Sequence, residues 1–207
     1  LQKIVTGTAV YQLKQKKQLD WDTSLSKYYP QIDGSKDITI RELMNHTSGL
    51  INNDRPFEPL KGQKAQIAYM LKHLKYDHTH TWDYQDVDYE ILAAIISKQT
   101  HQSYNTYIHP MDPTVDWHRV TVTTSSDFGA GNLFISPNDY WKFVYNEVLK
   151  DPKIINEYYQ QAQHQEVAYF GGVYFDGDVI RANGSIPGYN SCFVADYKTK
   201  RMIMLFS

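Results

Sequence analysis

The chain has 207 residues, of which 42% are hydrophobic and 14% aromatic, so it is not intrinsically disordered and suits one or two domains. Its 21 basic and 23 acidic residues give a net charge of −2, which excludes a global basic field for nucleic acid or acidic membranes. One cysteine, Cys192, excludes an internal disulfide and a Cys-rich zinc site. No apolar run approaches the roughly 20 residues that span a bilayer.

The two ends of the sequence are abrupt. It opens on Leu1-Gln2-Lys3 with no Met and no signal peptide, and it stops at Ser207 directly after the apolar run 202–206. A strand that ends at the last residue suggests that something further packs against it. We therefore expect one domain over residues 1–207 that is incomplete at both ends and has missing loops.

Helical periodicity dominates the first three quarters of the chain. Apolar residues at helical spacing predict an amphipathic helix over residues 3–15. Thr39 and Glu42 form a capping-box pattern for a short helix, and Gly49 suits the turn after it. Ser136 and Pro137 are a cap residue and an N1 proline. Further helices are predicted over residues 63–75, 89–98, 137–149 and 153–163.

The last quarter has strand character. Strands are predicted over residues 167–175, 179–182, 191–197 and 201–206, with turns at Asp176-Gly177 and 198–200. The final strands would form a meander whose apolar face is covered by the first helix. The sequence thus predicts a mixed α/β (α+β) protein, with a helical subdomain at roughly 25–150 and a sheet built mainly from 165–207 plus helix 3–15.

One long segment carries a family resemblance. Residues 38–50, ITIRELMNHTSGL, resemble the I-T-I-R-x-L-L-x-H-T-S-G-L segment of the serine β-lactamase and penicillin-binding-protein-like family. The resemblance implies an antiparallel sheet packed by helices plus a mostly helical subdomain. We expect a structural role for the segment, with His46 packed and hydrogen-bonded. Ser48 is rejected as a nucleophile because no G-x-S-x-G elbow surrounds it.

The first catalytic motif of that family is S-x-x-K at the start of an apolar helix. Lys3 stands in the lysine position, and residues 19–30, LDWDTSLSKYYP, match the family segment that follows the helix. Counting back, the nucleophilic serine falls immediately before Leu1. Residues three apart share a helix face, and the helix N-terminus favours negative charge. Lys3 can act as a free base only if burial and neighbouring cations lower its pKa.

The second motif is Y-x-N, matched by Tyr84-Gln85-Asp86 before the helix predicted over 89–98. The resemblance implies that Tyr84 shuttles a proton between the serine, Lys3 and the leaving group. The alternative is a loop tyrosine with its hydroxyl in water. Asp86 departs from the family's Asn, and a carboxylate there favours the charged amine. It could hold Lys3 in place or attract a substrate ammonium group.

The third motif is K-T-G or H-T/S-G, and residues 181–189 align with it through Gly184 and the Pro-Gly-Tyr that follows. Ala182 replaces the basic residue, which argues against an efficient β-lactamase or D-Ala-D-Ala carboxypeptidase, and Asn183 replaces Thr or Ser. Gly184 allows close backbone approach, and the backbone N–H of Ser185 is the candidate second donor of an oxyanion hole. The alternative is a Gly-rich strand turn.

Two further patterns are weak. His78 and His80 lack an evident third ligand, and Asp176–Asp178 suits a hairpin turn better than a calcium loop. No metal site is predicted.

Taken together, Lys3, Tyr84, Asp86 and Ala182 most resemble the family members that remove D-alanine from teichoic acids. This resemblance implies an extracytoplasmic serine esterase of the cell envelope that works through an acyl-enzyme and needs no cofactor. It implies D-alanylated teichoic acids as partners, β-lactams as further ligands, and membrane attachment through segments outside this chain. The alternatives are a D-Ala-D-Ala carboxypeptidase or weak β-lactamase, and a non-catalytic wall-polymer-binding module.

Overall fold

A computed structural model describes residues 1–54, 56, 60–122, 127–163 and 165–207. Within these ranges the α-helices are α1 (Gln2–Gln15), α2 (Ile40–Met44), α3 (Gln63–His73), α4 (Asp86–Thr100), α5 (Tyr104–Ile108), α6 (Pro137–Phe143) and α7 (Pro152–Ala162). Short strands form two pairs, β1 (Leu50–Ile51) with β2 (Lys75–Tyr76) and β3 (Thr121–Val122) with β4 (Leu133–Phe134). In the described parts of the chain, no helix is long and apolar enough to cross a membrane.

The main sheet has five antiparallel strands in sequence order, β5 (Tyr169–Phe170), β6 (Val173–Asp176), β7 (Val179–Ile186), β8 (Tyr189–Asp196) and β9 (Arg201–Phe206). The predicted meander is therefore confirmed. The single strand predicted over 167–175 is wrong, because Gly171 and Gly172 turn the chain at φ +67° and +95° and split it into β5 and β6. Glycine adopts such angles without the steric cost that a Cβ brings.

Helix α1 lies where the sequence predicts it, within one residue at its start. Residues 2–10 are buried on every side, so this part of the helix is not amphipathic as predicted, and the helix packs mainly on α4. It also touches the β5–β6 turn closely, since a Cβ on Gly7 would lie 2.4 Å from the Gly171 oxygen. The expectation that α1 covers the sheet is incomplete. Helix α7 covers it as well, through ring contacts of Tyr158 with Phe170 and Tyr159 with Phe175.

Most of the other helices follow their local signals. Thr39 and Glu42 form the predicted capping box, and Ser136 accepts a hydrogen bond from Asp139 N at the start of α6. The helix predicted over 137–149 continues from α6 into a π-helical segment, Val144–Leu149. The helix predicted over 63–75 ends at His73, because the next residues pair as β2 with β1. The division into a helical subdomain and a sheet region stays a prediction.

The two faces of the main sheet differ sharply. Ile180, Ala182, Phe193 and Ala195 point to the core and are buried. On the opposite face of β8 and β9, Val194, Ile203 and Leu205 are 46%, 70% and 65% exposed. Strand alternation places these two sets on opposite sides. The catalytic-motif residues of β7 therefore lie on a strand whose register is fixed by its buried side.

Candidate active site

Lys3 is buried at the N-terminal turn of α1. Its side chain is 9% exposed, and its Nζ lies 2.5 Å from Asp86 Oδ1, at the start of α4. The same Nζ stands 4.7 Å from the ring centroid of Tyr84 and 5.8 Å from that of Tyr89. The helix packing of α1 on α4 thus joins two motifs that are 83 residues apart in the sequence.

The charge of Lys3 is set by this ion pair. Burial acts to lower the pKa of Lys3, but the carboxylate of Asp86 and the hydroxyl of Tyr84 act against it and the pKa is raised. Lys3 is therefore an ammonium group at neutral pH. The condition set for a free-base lysine, a pKa lowered by burial and neighbouring cations, is not met in this arrangement.

Tyr84 is held by a buried cluster beneath it. The ring centroids of Tyr84 and His46 are 4.3 Å apart, and Asp83 N donates to the His46 carbonyl at 2.8 Å. His46 has φ +61°, in the left-handed region, so the turn at the end of α2 presents its carbonyl and its ring to the loop before α4. This contact fixes the loop that carries the second motif.

Asp88 forms the base of that cluster. It accepts a hydrogen bond from Ser48 Oγ at 2.5 Å, and its Oδ2 is 2.8 Å from His46 Nδ1. Burial raises the pKa of Asp88 and lowers that of His46, so the ring of His46 is uncharged at neutral pH. His46 is packed and hydrogen-bonded as expected. Sequence reasoning missed Asp88, which looks like an ordinary acidic residue in the first helical turn.

The third motif lies on a half-open strand. Strand β8 pairs with β7 along its whole length, whereas β6 pairs only with Val179–Arg181, so the edge from Ala182 onward faces α1. A Cβ on Gly184 would lie 2.8 Å from the Leu1 nitrogen, and this closeness explains the glycine. The Ser185 hydroxyl donates to Asn190 Oδ1 at 2.9 Å.

A cavity of about 820 Å³ opens between α1, the loop before α4 and the edge of β7. All six candidate residues from the sequence line it: Lys3, Tyr84, Asp86, Asn183, Gly184 and Ser185. Its far wall is apolar and includes Phe134 and Tyr189, whose rings meet edge to face at 5.5 Å. The site can thus hold an acyl group of moderate size beside a charged Lys–Asp pair.

Ala182 is also at this cavity, where the third motif has a basic residue. It is 7% exposed and its methyl group belongs to the core side of β7.

Metal binding has no support from the described side chains. His80 Nδ1 contacts Glu42 at 2.6 Å. Among the described residues, no group of three or more His, Cys, Asp or Glu side chains is arranged to hold a metal. The Lys3, Tyr84 and Asp86 side chains at this cavity can take part in proton transfer, and the backbone N–H groups of β7 can donate hydrogen bonds.

Two curated relatives match nearly the whole length of the chain. The chain is 26% identical over 252 residues to the putative penicillin-binding protein PbpX of Bacillus subtilis (strain 168), covering 100% of this chain and 60% of the relative. It is 25% identical over 248 residues to the teichoic acid D-alanine hydrolase of Staphylococcus aureus (strain MRSA252), covering 99% and 59%. The chain thus spans about 60% of the length of these relatives.

The fold matches solved structures of the same kind. The crystal structure of FmtA from Staphylococcus aureus superposes with a TM-score of 0.81 at 23% identity, covering 99% of this chain and 68% of that one. This confirms the expected α+β fold of β-lactamases and penicillin-binding-protein-like proteins. The family model described as Beta-lactamase matches residues 1–110, more than half of the chain. The chain belongs to the beta-lactamase family.

Proposed function

We propose that this protein is a serine hydrolase that removes D-alanine from teichoic acids through an acyl-enzyme. The observation that carries the proposal is the buried Lys3–Asp86 pair at the start of α1, facing the free edge of β7 across the cavity. The similarity to a teichoic acid D-alanine hydrolase supports the substrate class. The nucleophile is the serine that the S-x-x-K motif puts immediately before Leu1.

Acylation transfers the D-alanyl group to that serine. The serine oxygen attacks the ester carbonyl, the bond to the polymer oxygen breaks, and the polymer leaves as an alcohol. Because Lys3 is already charged, the serine proton passes through its ammonium group to Asp86, leaving an ammonium beside a neutral carboxyl. Tyr84, whose ring centroid is 4.7 Å from Lys3 Nζ, relays the proton to the departing oxygen.

Deacylation reverses the same proton path. A water attacks the acyl-enzyme carbonyl, gives its proton to the Lys3–Asp86 pair, and releases D-alanine with the serine restored. The oxyanion formed in both steps is held by the backbone N–H of Ser185 and that of the nucleophile, at the positive end of α1. Asp86 is engaged with Lys3, which supports the holding role over recognition of a substrate ammonium.

The test is release of D-alanine from a D-alanyl ester by the full-length protein, with the acyl-enzyme trapped for mass spectrometry. We expect Lys3→Ala to lower kcat/KM by about a thousandfold, since general acid–base groups contribute roughly 10²–10⁴. Lys14→Ala is the matched control, because Lys14 lies on the same helix and pairs with Glu157 outside the cavity. Equal activity in the two variants would contradict the proposal.

The family match keeps β-lactam and D-Ala-D-Ala chemistry as a second candidate, which the same assays separate. Acylation by a β-lactam that outpaces ester turnover would favour a weak β-lactamase or carboxypeptidase. Unchanged polymer binding in Lys3→Ala, with no hydrolysis by the wild type, would favour a binding module. The buried Ala182 supports the esterase, because no lysine or histidine is present there to bind a carboxylate. An esterase acting on wall polymers would work outside the cytoplasm.

A further inference from the structure

Arg181 lies on β7 next to residues that line the cavity, and the proposed mechanism gives it no role. Its cross-strand partner on β6 is Tyr174, and Asn183 follows two residues along β7. Both neighbours line the cavity. Residues that pair across strands, or lie two apart on one strand, project from the same face of a sheet. Arg181 is therefore flanked by two cavity-lining residues on its own exposed face.

The Arg181 guanidinium stacks on an aromatic ring and, among the described residues, has no acidic partner. Its central carbon stands 4.6 Å from the centroid of the Tyr174 ring. Across the described ranges, it makes no ion pair and no side-chain hydrogen bond. This differs from Lys3, which is paired with Asp86, and from Lys198, which lies 2.6 Å from Asp178. A guanidinium that stacks on a ring keeps the N–H groups at its edge available for an anion.

The position of this cation differs from that of the family motif by one residue. Ala182 replaces the basic residue of the motif and is buried, whereas Arg181 is exposed. A shift of one residue moves a side chain to the other face of a strand. The positive charge thus lies outside the reacting pocket, about 7 Å along the strand from the Asn183 position at 3.3 Å per residue.

We propose that Arg181 binds a phosphodiester group of an anionic polymer next to the ester that enters the cavity. This inference rests on the proposed function, because teichoic acids carry phosphodiesters along their backbone. Arginine matches phosphate oxygens with two parallel N–H donors, and the chain's net charge of −2 provides no general attraction for a polyanion. The reacting ester and the recognised charge are then separate parts of one substrate.

The first experiment compares two D-alanyl esters in the full-length protein, one of glycerol and one of glycerol phosphate. In the wild type we expect the phosphate-bearing ester to have the lower KM. In Arg181→Gln the ratio of kcat/KM between the charged and the neutral ester should fall about five- to tenfold, through KM. Arg181→Lys should give an intermediate ratio, because it keeps the charge and loses the two-donor geometry.

The matched control is Arg201→Gln. Arg201 is exposed on the same sheet, two strands away on β9, and its cross-strand partner Asp196 does not line the cavity, unlike Tyr174 beside Arg181. This substitution removes the same charge as Arg181→Gln. A general effect of net charge would therefore alter the ratio of kcat/KM between the two esters equally in both variants. Such an equal effect, or an unchanged ratio in Arg181→Gln, would overturn the proposal.

A second measurement keeps this inference separate from the proposed function. Binding of polyglycerol phosphate that carries no D-alanine is measured at low salt and at 0.15 M salt, where the screening length is about 8 Å. Weaker binding in Arg181→Gln than in Arg201→Gln supports the anion site even if the wild type hydrolyses neither ester. Hydrolysis of both esters with equal polymer binding by the two variants supports the esterase and refutes the role of Arg181.

Discussion

Asp86 and Asp88 stand two residues apart in the first turn of α4 and occupy opposite environments. The Asp86 side chain is 34% exposed at the cavity and holds the Lys3 ammonium. The Asp88 side chain is 1% exposed, faces Ser48 and His46, and has its pKa raised by burial. Residues two apart on a helix point away from each other. One carboxyl therefore belongs to the proposed chemistry and the other to the scaffold below it.

The largest expected effect concerns stability at the buried carboxyl. Asp88→Ala leaves the Ser48 hydroxyl and the His46 ring nitrogen without their partner, so we expect the free energy of unfolding to fall by about 3 kcal/mol. Asp86→Ala, its comparison, should cost less, about 2 kcal/mol, because that carboxyl is partly solvated and the loss comes mainly from leaving the buried Lys3 without its partner. Urea unfolding measures both, and equal losses would break the distinction between the two residues.

The next effect concerns activity at Asp86, the partly solvated carboxyl. Asp86→Asn removes the acceptor that takes the serine proton through Lys3, so kcat should fall about a hundredfold with the D-alanyl ester. The same change removes the main cause that raises the pKa of Lys3, so the residual rate should depend on a lower pKa than in the wild type. A pH–rate profile tests this. An unchanged kcat and profile would remove Asp86 from the mechanism.

The pH dependence of the free energy of unfolding should depend on the buried pair of His46 and Asp88. The pKa of His46 is lowered in the folded state, so unfolding takes up a proton below the ordinary value of about 6.5. His46 alone therefore makes the free energy of unfolding fall below that pH, by about 1.4 kcal/mol per pH unit for one proton, whereas the raised pKa of Asp88 acts in the opposite direction. The difference in slope between the wild type and His46→Asn isolates the contribution of His46. His46→Asn tolerates the left-handed backbone and lacks the titrating ring. Identical slopes in the two proteins would show that His46 protonates freely when folded.

The smallest expected effect concerns Ser48, to which we assign a structural role and not that of the nucleophile. Ser48→Ala removes one hydrogen bond to Asp88, so we expect a stability loss of about 1–2 kcal/mol and nearly full ester turnover. D-alanine release at saturating substrate, measured below the unfolding transition, is the check. A loss of turnover larger than that of Lys3→Ala would make Ser48 a candidate nucleophile after all.

Much of the fold was predictable because its signals are local. The capping box at Thr39 and Glu42, the Ser136 cap and the extent of α1 depend on neighbouring residues and appear as expected. The errors arose where distant pairing decides the outcome. Residues 75–76 leave the helical pattern to pair with β1, and the Gly171-Gly172 turn divides a run that reads as one strand.

The candidate site was predictable residue by residue but not in its electrostatics. The motif spacings pointed to Lys3, Tyr84 and Gly184, and the structure brings them to one cavity. The balance at Lys3 needed coordinates, because burial and a carboxylate act on its pKa in opposite directions and only their distances show which prevails. No sequence motif marks Asp88, which lies beneath the site, or Arg181, which lies beside it.

By itself the sequence determined the family resemblance, the α+β class and the residues of the three motifs, because these depend on residue types and spacings along the chain. The tertiary structure alone decided that Lys3 is a paired cation, that Asp86 and Asp88 have different environments, and that the edge of β7 beyond Arg181 is open to the cavity. Each of these depends on contacts between segments far apart in the chain, and such contacts set burial and charge.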